Sequence, residues 1–589
     1  MKNFLFQRLL VAIMLLGATN WGKAQVRFDI DAGLRGPKIG ARHYGIFFEE
    51  INHAGDGGLY AELIQNRSFE DNSTNPDKWW TVGTATTEIV TDHLLNDAQQ
   101  HALKLTMNAP GDGIRNEGFW GINSVEGRTY KLCFWARSVD GYNGRLNVGL
   151  QSKEGDVLGG GQVEVNLGAE WQKISTEFTA TVNDPEAWFS LSGTTPGEII
   201  LDVVSLFPPT YKGRENGCRI DLAEMLQAIQ PAFVRFPGGC YVEGQWTNGK
   251  TNRFEWKNTI GPIEERPGHR NINWNYNVSD GLGFHEMLQL TEDLGAEPLF
   301  VVNMGMGHGW VEDYNHIDEY IQEALDAIEY CNGDITTPWG AKRAQNGHSE
   351  PFNLRLIEIG NENYNYSFDN NNDQSDHYAE RYKKFYDAIK TKYPEMIIIG
   401  NVEAWGTDNP SWRNNHPVDA VDEHYYRSPG WFVNQYTKYD NRNRALPKVY
   451  VGEYAANAGG YGRYGNLNSA LGEGIFMLGM EKNSDVVKLA SFAPIFTHEM
   501  DPRWHYDMIH FNSSNNFVTP SYYVQKLIPN NQGTQNLLWT ETGNTVKNEK
   551  TAMKVGVGAW GTAVTYDNIS VTDLEGNVIA NEDFTNGMH

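Results

Sequence analysis

Residues 354–362 read "LRLIEIGNE", and this segment predicts the kind of sheet around which the chain folds. It is a short run rich in Leu and Ile, which is typical of a strand buried on both faces of a parallel sheet. Two glutamates interrupt the apolar pattern, Glu358 inside the run and Glu362 at its end. Because an unpaired charge in a dry interior costs several kcal/mol, each glutamate needs a partner or a function.

Similar apolar runs recur along the chain and alternate with amphipathic patterns that predict helices. The eight strand-like runs are residues 43–50, 233–239, 298–305, 354–362, 396–401, 418–426, 448–454 and 486–496. Strands that alternate with helices predict a parallel sheet with crossover connections. Eight such strands close into a barrel, so the predicted fold class is α/β, a (β/α)8 TIM barrel.

The stretch between the first two strands is too long for a loop and predicts a second domain. Residues 70–207 show no long amphipathic helix but contain alternating runs such as "RLNVGLQS" and "EIILDVVSLF". This pattern predicts an all-β, jelly-roll-like sandwich inserted into the barrel. The predicted domains are a signal peptide (1–24), an N-terminal strand with the first barrel strand (25–69), the sandwich (70–207), the catalytic barrel (208–530) and a short C-terminal β region (531–589).

The N-terminal residues predict export. Lys2 and Arg8 accompany an apolar stretch near residues 9–17, and small residues precede Gln25. This pattern indicates a secretory signal peptide cleaved after Ala24, since the apolar stretch is shorter than the roughly 20 residues that span a bilayer. The protein is therefore predicted to be secreted or periplasmic.

The amino-acid composition limits the kinds of binding partner that the protein is expected to have. A net charge of −26 argues against nucleic acid and anionic membrane surfaces. The 18 Trp and 28 Tyr favour an exported protein that stacks sugars. The four cysteines lack the spacing of a disulfide scaffold or a zinc site, and no pattern predicts a metal or another cofactor. Nothing in the sequence predicts the oligomeric state.

Three glutamates end predicted barrel strands: Glu50, Glu362 and Glu453. Active sites of such barrels lie at the C-terminal ends of the strands, so the three side chains are expected at one mouth. Any one of them alone is more simply explained as a surface salt bridge. Two carboxylates across a pocket in an exported, aromatic-rich barrel favour glycoside hydrolysis, one as general acid and base and the other as nucleophile or base.

Several segments also carry a family resemblance. They are "YGIFFEEINHAGDGGLYAELIQNRSFE", "RFPGGCYVEG", "EIGNENY", "VGEYAAN" and "FNSSNNFVTPSYYVQKL". In this order they resemble the alpha-L-arabinofuranosidases of glycoside hydrolase family 51, in the plant-like branch that carries an inserted carbohydrate-binding-type sandwich. The resemblance covers most of residues 26–530 and implies a retaining barrel glycosidase.

The resemblance implies roles for individual residues. Glu362 corresponds to the acid/base and Glu453 to the nucleophile, while Asn361 is expected to bind the 2-hydroxyl of the sugar. Glu50 corresponds to the substrate-binding glutamate of the family. Its neighbour Glu49 is expected to point the other way, because side chains alternate along an extended strand.

The remaining site candidates are less specific. His424 and Tyr426 are expected to position the nucleophile, and Cys240 to line the pocket without acting as a catalytic thiol. Two further substrate-binding candidates are Asn303 and Trp310, the latter as a stacking platform. Away from the reacting atoms, Glu358 is expected to form a buried pair with Arg235, because an interior arginine must be paired.

The predicted function is therefore that of an exo-acting, retaining alpha-L-arabinofuranosidase. Its expected substrates are terminal arabinofuranosyl residues of arabinoxylan, arabinan or arabino-oligosaccharides. The same site could instead serve an endoglucanase, a xylosidase or a galactofuranosidase, because a fold and its carboxylates define chemistry better than sugar identity. A non-catalytic sugar-binding protein is the alternative from another class.

Overall fold

The structure is a computed structural model that describes residues 27–363, 375–403, 416–457, 465–542, 569–572 and 578–582. The chain falls into two compact units, residues 36–536 and a smaller unit of residues 1–35 and 537–589. Strand Arg27–Lys38 pairs with Gln535–Thr542, and Ile569–Thr572 pairs with Val578–Glu582. The predicted signal peptide lies outside the described residues.

Eight parallel strands close into a barrel, which confirms the predicted fold class. They are β1 (Tyr44–Phe47), β2 (Phe233–Phe236), β3 (Glu297–Val302), β4 (Leu356–Ile359), β5 (Ile397–Glu403), β6 (Ala420–Arg427), β7 (Lys448–Ala456) and β8 (Val487–Phe492), with β8 paired to β1. The longer helices described between and after the strands are Ile220–Ile229, Phe284–Asp293, Asp318–Asn332, Pro338–Gln345, Ser375–Lys392, Pro429–Asn434, Leu467–Lys482 and Pro520–Asn530. None of the helices in the described part of the chain combines the length and apolar character needed to cross a membrane.

The barrel interior changes from apolar to charged toward the mouth. A cluster of largely apolar side chains, which includes Phe233 and Leu356, fills its lower part. Two residues further along their strands, Arg235 and Glu358 are completely buried. Arg235 Nε and Nη2 donate to the two Glu358 carboxylate oxygens at 2.7 and 3.2 Å. The predicted pairing of these two residues is confirmed.

The segment between β1 and β2 contains a sandwich of two antiparallel sheets. One sheet has the strand order Val157–Leu167, Tyr142–Gln151, Asp184–Gly193, Gly113–Asn116 and Trp79–Val82, with Ile122–Ser124 also paired to Asp184–Gly193. The other has the order Gln172–Thr179, Thr129–Arg137, Gly197–Phe207, Ala102–Met107 and Thr86–Val90. A separate apolar core fills the space between these sheets.

Short strands in the loops surround the mouth of the barrel. His269–Asn271 pairs with Tyr276–Val278 after β2, and Met306–Gly307 pairs with Trp310–Val311 after β3. After β8, Phe496–His498 joins a small three-stranded sheet. These hairpins hold side chains over the C-terminal ends of the barrel strands.

Candidate active site

Glu362 and Glu453 face each other at the C-terminal mouth of the barrel. Glu453 lies within β7, and Glu362 follows β4 with a left-handed φ of 50°. This conformation is uncommon for a residue with a side chain and is concentrated at functional sites. One carboxylate oxygen of each glutamate and one ring nitrogen of His424 all lie within 4.8 Å of one another. The two predicted carboxylates therefore share one pocket.

Glu453 is held by two donors. Arg235 Nη1 donates to Oε1 and the Tyr426 hydroxyl donates to Oε2, both at 2.7 Å. Gly239 leaves the room that this arrangement needs, because a Cβ there would lie 2.9 Å from Glu453 Oε1. Tyr426 and Arg235 stabilise negative charge on this carboxylate and hold it in one orientation.

Glu362 is linked through His424 to Asp422. One ring nitrogen of His424 lies 2.7 Å from Glu362 Oε1, and the other lies 2.5 Å from Asp422 Oδ2. Burial lowers the pKa of His424, but the charges of Asp422 and Glu453 outweigh burial, so that the pKa is raised well above its ordinary value. A protonated His424 donates to both carboxylates. Sequence reasoning missed Asp422, although it stands two residues before His424 on the same strand.

Burial also sets the protonation of Glu362. Desolvation raises the pKa of this carboxyl, the hydrogen bond from His424 opposes that effect, and the negative charge of Glu453 adds to it. The net direction is upward, so the protein favours the protonated form of Glu362 more than water does. This is the state that a general acid requires.

Asn361 is positioned from two sides. Its Oδ1 accepts from Arg235 Nη2 at 2.8 Å, and its Nδ2 donates to Glu243 Oε2 at 3.1 Å. The other Glu243 oxygen accepts from Asn363 Nδ2 at 2.8 Å. Glu243 is 1% exposed and thus supports the residues on either side of Glu362. Sequence reasoning also missed Glu243, whose only signal is its place one helical turn after Pro-Gly-Gly.

The structure reverses the expected orientations of Glu49 and Glu50. Glu49 Oε1 accepts from the N–H of Tyr241 at 2.8 Å and from Trp274 Nε1 at 3.1 Å, and burial and then the charge of Glu453 raise its pKa to about 7. Glu50 points instead to the Tyr276 hydroxyl at 2.9 Å. The alternation rule fails because β1 ends at Phe47, before either glutamate.

Two other candidates occupy supporting positions. The Asn303 amide donates to the carbonyl oxygens of Val242 and Glu243 at 3.0 and 3.1 Å, so it holds a loop backbone. Trp310 is only 7% exposed and belongs to the large apolar cluster that includes Tyr320 of the helix Asp318–Asn332. The predicted roles of Asn303 as a sugar ligand and of Trp310 as a platform are not supported by these positions.

Cys240 stands at the start of the short helix Cys240–Glu243 and is partly exposed. Burial and the surrounding carboxylates raise the pKa of its thiol well above the ordinary value. A protonated thiol is a weak nucleophile, which agrees with a lining role.

Three family models match the chain. The model described as "Alpha-L-arabinofuranosidase 1 domain" matches residues 225–444, and "Alpha-L-arabinofuranosidase C-terminal domain" matches residues 423–586. The model described as "Carbohydrate binding domain" matches residues 61–197, which include most of the sandwich.

Curated proteins and a solved structure show the same similarity. Alpha-L-arabinofuranosidase 1 of Arabidopsis thaliana is 37% identical over 95% of this chain and 83% of its own length. An extracellular exo-alpha-L-arabinofuranosidase of Streptomyces chartreusis is also 37% identical, over 94% of this chain and 67% of its own. The solved structure of an arabinose-bound family 51 alpha-L-arabinofuranosidase is 33% identical, with a TM-score of 0.80 over 88% of this chain and 84% of that chain.

Proposed function

This chain belongs to the alpha-L-arabinofuranosidase family of glycoside hydrolases, and from that premise we propose that it removes terminal arabinofuranosyl residues by double displacement. In this proposal Glu453 is the nucleophile and Glu362 is the acid/base. The substrates are arabinose-bearing glycans such as arabinoxylan, arabinan and arabino-oligosaccharides, attacked at non-reducing ends.

The spacing of the two carboxylates carries the proposal. Retaining glycosidases place their carboxyl groups about 5–5.5 Å apart, whereas inverting enzymes leave about 6.5–9.5 Å for a water molecule. The nearest oxygens of Glu362 and Glu453 lie within 4.8 Å of each other, and His424 Nδ1 lies 2.7 Å from one carboxylate and 3.7 Å from the other. Two carboxylates that approach the same ring nitrogen this closely support direct attack by a carboxylate.

In the first step Glu453 attacks the anomeric carbon while Glu362 gives its proton to the departing oxygen. The donors Arg235 and Tyr426 aim the Glu453 carboxylate, so little reorganisation is needed at the moment of attack. The bond to the sugar removes the negative charge of Glu453. Because that charge raises the pKa of Glu362, its removal makes Glu362 a stronger acid.

In the second step Glu362, now a carboxylate, accepts a proton from water, which attacks the same carbon and releases the sugar. A protonated His424 stabilises this carboxylate through its 2.7 Å hydrogen bond. Asp422 keeps the ring charged and oriented. His424 and Asp422 therefore stabilise Glu362 in the second half-reaction, in which Glu362 carries the negative charge.

Glu49 is the carboxylate that we assign to the furanose hydroxyls. It is buried beside the catalytic pair and carries Trp274 on one oxygen, which leaves acceptor capacity on the other. Asn361 lies on the opposite side and can bind the 2-hydroxyl, a contact that strengthens as positive charge develops on the ring.

Paired variants distinguish Glu49 from Glu50. Glu49→Gln is expected to lower kcat/KM on an aryl arabinofuranoside by roughly 100-fold, because an amide replaces the carboxyl group that hydrogen-bonds the sugar. Glu50→Gln is expected to change kcat/KM little and to lower the melting temperature instead, since Glu50 binds Tyr276 and the backbone of Asp56. Steady-state kinetics and thermal unfolding of both variants test this, and a larger kinetic loss in Glu50→Gln would restore the role predicted from the sequence.

The acid role of Glu362 is tested by leaving-group dependence. Glu362→Gln is expected to slow cleavage of an arabino-oligosaccharide by roughly 100- to 10,000-fold, because the departing alkoxide needs a proton. Cleavage of a dinitrophenyl arabinofuranoside should slow far less, since its phenolate leaves unassisted. Equal losses on both substrates would show that Glu362 does not act as the acid.

The sugar specificity is tested with matched nitrophenyl glycosides. The expected result is turnover of the alpha-L-arabinofuranoside with much slower turnover of the xyloside and the galactofuranoside. Magnetic resonance of the first-formed sugar should show retained anomeric configuration. A faster xyloside or galactofuranoside reaction, or an inverted product, would contradict the proposal.

We also place the protein outside the cytoplasm. The support is the predicted signal peptide at residues 1–24 and the similarity to a Streptomyces enzyme named as extracellular. Sequencing the N-terminus of the exported protein, with Gln25 as the expected first residue, tests this placement.

A further inference from the structure

A second group of side chains lies beside Glu362, and none of its members forms a bond to the sugar or transfers a proton in the proposed reaction. Atoms of Cys240, Glu243 and His308 that can each serve as a metal ligand lie within 4.8 Å of one another. Glu243 is buried, whereas Cys240 and His308 are partly exposed toward the pocket mouth. An ion can therefore reach the group from solvent through Cys240 and His308, while Glu243 closes its interior side.

The backbone holds these three residues in place. Cys240 and Glu243 stand one turn apart on a short helix, a spacing that puts side chains on one face. Cys240 O accepts from Asn273 Nδ2 at 2.6 Å. His308 lies at the tip of a hairpin, and its N–H donates to Gly244 O at 3.0 Å, which ties the hairpin to the end of that helix.

The donor set suits one class of ligand. A thiolate, an imidazole and a carboxylate are the ligands of Zn²⁺, which binds sulfur, nitrogen and oxygen at about 2.0–2.3 Å, whereas Mg²⁺ and Ca²⁺ prefer oxygen alone. Ligand atoms within 4.8 Å of one another can surround one such ion after small side-chain movements.

The surrounding charges also favour a cation. Glu49 accepts from the N–H of Tyr241 at 2.8 Å, and Glu453 lies against Gly239, so both carboxylates adjoin the start of the helix that carries Cys240 and Glu243. A pocket lined by one sign of charge concentrates ions of the opposite sign. The nearby positive groups, Arg235 and His424, are already paired with carboxylates.

We propose that Cys240, Glu243 and His308 form a binding site for Zn²⁺ or a similar thiophilic divalent cation, and that the bound ion excludes the sugar. On binding, a metal–sulfur bond forms and the thiol proton passes to solvent, because a coordinated thiol is deprotonated. Coordination at the same time pulls the Glu243 carboxylate away from its hydrogen bonds with Asn361 and Asn363, which flank Glu362. The exclusion of sugar rests on the proposed function, whereas metal binding does not.

Co²⁺ reports the site independently of activity, because its bond to a thiolate gives a charge-transfer band in the near ultraviolet. The full chain titrated with Co²⁺ is expected to show this band with one equivalent bound. Cys240→Ser should abolish the band. Cys133→Ser is the matched control and should retain it, because Cys133 is also partly exposed but lies on the sandwich beside Ser175.

Inhibition provides the second measurement. Zn²⁺ should inhibit arabinofuranoside hydrolysis competitively. His308→Ala should raise the Zn²⁺ concentration for half inhibition by roughly 10- to 100-fold, with the rate of each protein measured relative to its own metal-free rate.

A missing cobalt–thiolate band, or a band that survives Cys240→Ser, overturns the site. Inhibition without such a band places the ion on Glu362, His424 and Glu453 instead and also overturns it. If the protein fails to hydrolyse arabinofuranosides while the band appears, the proposed function fails and the metal site stands.

Discussion

Glu453→Gln is expected to lower kcat on nitrophenyl alpha-L-arabinofuranoside by roughly 10,000-fold or more, because the variant lacks the atom that forms the glycosyl–enzyme bond. An amide of the same shape keeps an oxygen that accepts from Arg235 or Tyr426, so the fold should persist. Circular dichroism and thermal unfolding establish that the variant is folded, and steady-state kinetics measure the loss.

Azide and a matched variant complete this test. Azide should restore turnover of Glu453→Ala and yield a glycosyl azide of inverted configuration, since removal of the carboxylate leaves space for a small anion beside the anomeric carbon. Glu481→Gln is the control, because it makes the same change at a partly exposed glutamate that accepts from Tyr44. Full turnover by Glu453→Gln would show that Glu453 is not the nucleophile.

Glu358→Ala is expected to lower the free energy of unfolding by about 3–5 kcal/mol, the usual cost of removing one partner from a buried ion pair. Both residues of the pair are fully buried, and Glu358 takes two hydrogen bonds from Arg235 and one from Asn401 at 3.0 Å. Loss of the Glu358 side chain leaves a cavity, and the buried positive charge of Arg235 loses one of its negative partners. Urea and thermal unfolding measure the change.

An exposed pair offers the comparison for that result. Arg145 and Glu164 on the sandwich also lie 2.7 Å apart, but their side chains are 56% and 77% exposed. Glu164→Ala should therefore cost no more than about 1 kcal/mol. Equal losses in the two variants would show that burial of Arg235 and Glu358 is not what makes their pair important.

The barrel and the positions of Glu362 and Glu453 were predictable from local patterns. Apolar strands alternating with amphipathic helices gave the eight strands, and the position of Glu362 and Glu453 at strand ends placed them at one mouth. The pairing of Arg235 with Glu358 was also predictable, since both charges fall within strands whose interiors exclude water.

Other parts of the site depend on neighbours that are distant in sequence. Asp422 and Glu243 matter through hydrogen bonds to His424 and to Asn361, and no local pattern reveals such partners. Trp310 was predicted to be a sugar platform in a glycine-rich loop, but the fold buries it near Tyr320 of the helix Asp318–Asn332.

The sequence by itself determined the barrel, the inserted sandwich and the two carboxylates, because periodicity and strand ends are properties of a continuous segment. Only the tertiary structure decided between Glu49 and Glu50. The period of two holds inside an extended strand, but β1 stops at Phe47 and the N–H of Ile51 donates to the carbonyl of Glu49 in a turn. Beyond that point, the direction of each side chain is set by Trp274 and Tyr276, which the hairpin after β2 brings across the mouth.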